Sequence, residues 1–147
     1  MTFRIPNWVS LALVALFVAV LPFAGLSWAM IGTHLAIGAA LLLVGMGLFA
    51  MNVLGGGDAK LLAAIGLWMG WAALPVYLLS VAIIGGMLSF ALVVFRMAPL
   101  TMTIVQHPWI SRLHDKKAGV PYGIALAAGA LVTLPQTLWF ALAAVPA

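Results

Sequence analysis

Charge is so scarce in this chain that it dictates the solvent. No Asp, Glu, Lys or Arg occurs between Ile5 and Gly57, and none between Leu61 and Phe95. Only 5% of the 147 residues are charged, whereas 67% are hydrophobic. A water-soluble domain cannot cover its core with so few charges. The outer surface must be apolar too, which predicts an all-α, polytopic transmembrane helix bundle forming a single domain over residues 1–147. The sequence pI is near 10.2. Six basic residues dispersed among apolar runs make no patch for nucleic acid, so none is expected as a partner; they mark membrane sidedness instead. There is no cysteine, which excludes disulfides, a thiol nucleophile and a Cys-based zinc site.

Five apolar segments stand out: Trp8 to about Phe23, about His34 to Met51, Ala59 to about Trp71, about Pro75 to Phe95, and Tyr122 to about Val145. Pro75 reads as a first-turn proline and Pro135 as a kink. A span needs ~20 residues, so the first is adequate where the bilayer is thin and the third reads as a half-span packed inside the bundle. Arg4 precedes the first segment, Lys60 lies between the second and third, and Arg96, Arg112, Lys116 and Lys117 lie between the last two. Alternating the segments puts all six on one face, with Asp58 and Asp115. That face is then cytoplasmic, with the N-terminus inside and the C-terminus outside. Arg4, the first apolar run and Ser27-Trp28-Ala29 loosely resemble a signal peptide, but the run is long and another span follows closely.

Chemistry concentrates in Gly55-Gly56-Gly57-Asp58-Ala59-Lys60, between two apolar segments. A carboxylate at a bilayer edge is costly, and function is its default reading. The glycines let the backbone approach closely or take positive φ. Asp58 suits a reactive carboxylate, and equally a helix N-cap. Peptide hydrolysis by carboxylates needs two, one ionised and one protonated, a split produced by mutual repulsion. Asp58 is half of such a pair. Asp115, in Arg112-Leu113-His114-Asp115-Lys116-Lys117, reads as a solvated loop charge, although a loop folded back onto Asp58 would make it the second carboxylate. Lys60 stabilises Asp58, touches substrate, or snorkels to lipid headgroups. Pro6 and Asn7 shape the mouth of the site or mark a span boundary, with Trp8 at the interface. His107 and His114 lie seven apart without a third ligand, so no metal site is expected. His34, on the opposite face, reads as interfacial. Gly66-Leu67-Trp68-Met69-Gly70 and Gly85-Gly86 read as helix-packing sites.

Three stretches together resemble one family: Arg4-Ile5-Pro6-Asn7-Trp8, the GxGD motif Gly55-Gly56-Gly57-Asp58 followed by Lys60, and Val120-Pro121-Tyr122-Gly123-Ile124-Ala125. Their order and placement resemble a type IV prepilin peptidase, in the short form associated with tight-adherence (Flp) pili. The resemblance implies an aspartic endopeptidase of the bacterial inner membrane. It would remove the leader of prepilins at the cytoplasmic face, with no cofactor or metal, and its partners would be a prepilin substrate and the lipid bilayer. Asp58 maps onto one catalytic aspartate, and Gly55 and Gly57 onto the motif glycines. Larger relatives carry a cysteine-rich insertion and also methylate the new N-terminus; without these, methylation is not expected here. The family's other aspartate lies shortly before Ile5-Pro6-Asn7, at the end of a preceding span. It would fall upstream of Met1, so a sixth helix and one catalytic carboxylate are expected to be missing and the chain as written to be inactive. A degenerate copy that binds a prepilin or a pilus-assembly partner is the alternative. A small transporter with Asp58 in a proton path is a third reading, without a second intramembrane ionisable group to support it.

Overall fold

The computed structural model describes residues 5–97, Ile110, His114 and residues 119–144. Arg4, His107, Arg112, Asp115, Lys116 and Lys117 lie outside the described residues, and with them most of the basic residues, one of the two loop histidines and the other aspartate.

Every regular element among the described residues is helical. Helix α1 (Asn7–Val20) starts directly after Pro6, whose φ of −67° and ψ of 139° hold the N-cap extended. Pro6 is therefore the cap rather than a first-turn residue. A 3-10 turn, Leu21–Phe23, ends the segment at Pro22. Helix α2 (Trp28–Ala50) begins six residues before the expected His34, because the Ser27 hydroxyl accepts the Met30 N–H at 3.4 Å. Its 23 residues make it about 35 Å long, enough to cross a bilayer.

The next helical stretch, Gly56–Met97, is broken at Gly70, where φ is 64° and ψ is 176°. Only glycine takes that conformation readily. Helix α3 (residues 56–69) ends there and helix α4 (residues 71–97) begins. The chain also reverses direction. Helix α5 (Tyr122–Thr133) packs Gly129 on Val81, while Gly85 packs on Tyr122, so α4 and α5 are antiparallel. Tyr122 lies with Asp58 at the start of α3, so α4 returns to the end from which α3 set out. The expected packing site Gly66–Gly70 thus divides in two. Gly66 faces Leu41 and Ile37 of α2, whereas Gly70 is the turning point. Pro75 consequently lies inside a helix rather than at its first turn. Pro135 does more than kink the last segment: a 3-10 turn, Leu134–Gln136, separates α5 from a short helix α6 (Leu138–Ala144).

Helix α3 is the axis of the bundle. Ala59 and every residue from Leu61 to Leu67 are buried, as expected for a half-span enclosed by its neighbours. Large apolar side chains such as Leu11, Leu43, Met87, Phe90 and Leu131 are exposed around it. An apolar exterior of this extent is a lipid-facing surface. Trp8 at one end, and Phe23, Trp28 and Trp71 at the other, are among the most exposed aromatics, as interface anchors should be.

At the Gly70 end the core is aromatic. Phe17 is fully buried, with ring centroids 5.6 Å from Trp68 and from Trp139 and 5.7 Å from His34. His34 is not interfacial: it is 5% exposed, and its Nδ1–H donates to the Leu67 carbonyl oxygen at 2.6 Å. That carbonyl belongs to the last turn of α3, where the break at Gly70 removes the helical donors. The place of His34 in the second segment suggests the aqueous edge, but the free Leu67 carbonyl gives the imidazole a buried partner.

Candidate active site

The opposite end of α3 carries the carboxylate. Met51 closes α2, and Asn52 turns the chain with φ of 58°. None of Gly55, Gly56 and Gly57 has positive φ. The turn is made by Asn52, whose side chain tolerates that region, and the glycines serve close approach.

Helix α3 begins at Gly56, so Gly55 is the capping position and Asp58 is the third helical residue. Asp58 is not the N-cap. Its carboxylate folds back to accept the backbone N–H of Gly55, which is the acidic half of a capping box. It also accepts the N–H of Gly123 in the first turn of α5. A Cβ on Gly55 would lie 2.9 Å from Asp58 Oδ2, and one on Gly123 3.3 Å from Oδ1. Both amides reach the carboxylate because neither residue carries a side chain. Asp58 is half-buried. Its open side borders a cavity of about 400 Å³, lined also by Asn52, Gly55, Val120 and Tyr122.

The third motif stretch arrives from α1. Ile5 sits on Gly57, where an added Cβ would lie 3.2 Å from both the Ile5 Cβ and its carbonyl oxygen. The other end of the Ile5 side chain reaches Gly123, where an added Cβ would lie 2.6 Å from Cδ1. Ile5 therefore bridges the two glycine surfaces on either side of Asp58. Pro6 and Asn7 follow as the cap and first residue of α1. Lys60 does not pair with Asp58; among the described residues no ion pair joins them. Residues two apart on a helix face different directions, and the Lys60 Nζ donates instead to Asn7 Oδ1 at 3.1 Å. Lys60 and Asn7 line the end of a separate, mainly apolar cavity of about 440 Å³ between α1, α2 and α3.

Segments far apart in sequence, residues 5–7, 55–60 and 120–123, thus converge on one carboxylate at one end of the bundle. Among the described residues no cluster of three metal-ligating side chains occurs.

The type IV leader peptidase family matches this chain over residues 1–90, which holds the first two of these segments. The chain belongs to that family. A stretch of 43 residues is 46% identical to the prepilin leader peptidase/N-methyltransferase of Aeromonas hydrophila, and equally to the proteins of that name from Aeromonas salmonicida, including strain A449. The match covers 29% of this chain and 15% of the length of these relatives. No solved structure matches the chain.

Two contributors escaped sequence reasoning. Gly123 was noted only as part of a motif, yet its amide holds the carboxylate. Ile5 is likewise legible in the sequence only as part of a motif, yet it fills the space that two glycines leave. Glycines on separate segments, in a chain with two acidic residues, are the available signal.

Proposed function

We propose that this chain is a membrane-embedded aspartic endopeptidase that removes the leader of type IV prepilins, those of Flp pili in particular, at the cytoplasmic face of the bacterial inner membrane. Asp58 supplies one of the two carboxylates that such hydrolysis needs. The observation that carries the reading is the convergence of the three motif stretches on Asp58, whose open side meets a cavity of about 400 Å³. Family membership and the names of the matched relatives support it. Of the two activities in those names, only leader cleavage is assigned here, because the chemistry placed at the site is a carboxylate.

The reaction needs no group beyond two carboxyls and water. The ionised carboxylate takes a proton from water as the water oxygen bonds to the scissile carbonyl carbon. The protonated partner donates to the carbonyl oxygen. The tetrahedral adduct then collapses: the C–N bond breaks as the carboxyl that took the water proton passes it to the amine, and the other carboxyl regains a proton from the adduct hydroxyl. The Gly55 and Gly123 amides hold the Asp58 carboxylate while its free side faces the scissile bond.

A second reading follows from the site having Asp58 as its single carboxylate among the described residues. With one carboxylate the protein binds a prepilin without cutting it. Purified chain, incubated with a prepilin in detergent micelles, separates the two. Cleavage by the wild type and its loss in Asp58→Asn supports the peptidase. Prepilin capture without cleavage, unaltered by Asp58→Asn, supports the binder and overturns the peptidase for this chain.

A further inference from the structure

We propose that Lys60 and Asn7 form a latch that seats Ile5 as a wedge beside the Asp58 carboxylate, which makes Lys60 a positioning residue rather than a counter-ion. The activity arm of the test below rests on reading Asp58 as catalytic; the latch itself does not.

The first turn of α1 packs Val9 against the core, but no side chain caps it. Its cap, Pro6, offers no side-chain hydrogen bond to the free amides, and helix ends without such bonds fray. The Lys60–Asn7 bond joins that first turn to α3 across 53 residues of sequence. Both partners are exposed, so the bond adds little to global stability. Its value is positional. Asn7 is followed backward by Pro6, whose ring fixes φ, so anchoring Asn7 also places Ile5. Ile5 then occupies the notch between Gly57 and Gly123. Gly123 is the residue whose amide holds Asp58. A loosened Ile5 frees α5 to shift at Gly123, and the carboxylate loses a donor. Lys60 thereby acts on Asp58 through Asn7, Pro6, Ile5 and Gly123, without touching it.

The chain contains no cysteine, so a single introduced thiol reports cleanly. In the full chain in nanodiscs, Ile5→Cys is reacted with a water-soluble maleimide. Ile37→Cys, at a core position of α2 that is 5% exposed, serves as the control. Lys60→Met and Asn7→Ala should each raise the Ile5→Cys rate roughly threefold or more while leaving the control unchanged, as a local opening does. Lys60→Arg, which can still donate to Asn7, should keep the wild-type rate. An unchanged Ile5→Cys rate in both Lys60→Met and Asn7→Ala overturns the latch, and so does an equal rise at both thiols. Should Lys60→Met fail to fold, Asn7→Ala decides alone, since it leaves the cation in place. In a cleavage assay on the otherwise wild-type background, Lys60→Met should lower kcat with KM nearly unchanged, and Lys60→Arg should restore it. No cleavage by the wild type would sink the peptidase reading, while the maleimide rates would still judge the latch.

Discussion

The two ends of α3 are finished in opposite ways. At its start, glycines admit backbone and leave a half-buried carboxylate facing a cavity. At its end, four rings close around one another and the loose backbone carbonyls find aromatic or imidazole donors. One end gives up packing to keep space around a polar group. The other packs its rings on one another and satisfies the Leu67 and Trp68 carbonyls internally, although a cavity of about 330 Å³ lies beside His34 and Gly70. A short central helix in lipid needs both: a rigid end to fix its position, and an open end where chemistry has room.

That contrast predicts a division of labour. Asp58→Asn keeps the shape of the side chain but cannot exchange protons. It should lower leader cleavage by about a hundredfold or more and leave thermal unfolding nearly unchanged. A cleavage rate within a few-fold of wild type would remove Asp58 from the chemistry and leave it as a helix-capping residue. Phe17→Ala, at the other end, should do the reverse. Removing a fully buried ring from the aromatic cluster should cost about 3–5 kcal/mol of stability, read by detergent-denaturant titration. Where the bundle remains folded, cleavage should persist. Equal loss of activity and stability in both variants would mean that the ends are not independent.

The open end was the more legible in sequence, because its residues are rare types in an apolar chain. Asp58, Lys60, Pro6 and Asn7 stand out against Leu and Ala, and their motif order indicated that they meet. Their contacts were less legible. A motif does not say that Asp58 is the third helical residue and not the cap, or that Lys60 turns away to Asn7. These depend on where a helix starts to within one residue. Of the closed end, the sequence shows aromatic residues and little else. Phe17, His34, Trp68 and Trp139 come from four separate segments, and periodicity in a uniformly apolar helix does not mark an inner face. The reversal at Gly70 was hidden for a related reason. In membrane helices glycine commonly marks close packing, as Gly66 does here, and only the backbone shows that Gly70 is a turn.

Gly70→Ala tests that turn directly. An alanine at φ 64° and ψ 176° pays about 1–3 kcal/mol of backbone strain. Its Cβ would also lie 2.9 Å from the His34 Cε1, so the imidazole must move from the Leu67 carbonyl. The expected result is a loss of stability smaller than that of Phe17→Ala and a cleavage rate near wild type. A stability equal to wild type would show that α3 and α4 join by a different backbone at this point.

The smallest effect is the most discriminating within the closed end. Trp139 Nε1–H donates to the Trp68 carbonyl oxygen at 2.7 Å, while its ring also packs on Phe17 and Trp68. Trp139→Phe keeps an aromatic ring and deletes the donor. The Trp68 carbonyl lies in the last turn of α3, where no succeeding helical turn supplies an amide, so it would be left without this partner in an apolar setting. The expected cost is about 1 kcal/mol, well below that of Phe17→Ala. If ring packing is what makes this end rigid, the ordering of these two variants holds. If Trp139→Phe proves as damaging as Phe17→Ala, capping of the α3 carbonyls is the stronger constraint. His34 on Leu67 and Trp139 on Trp68 would then count as one paired device closing the helix, with the aromatic contacts a consequence of bringing the two donors to adjacent carbonyls.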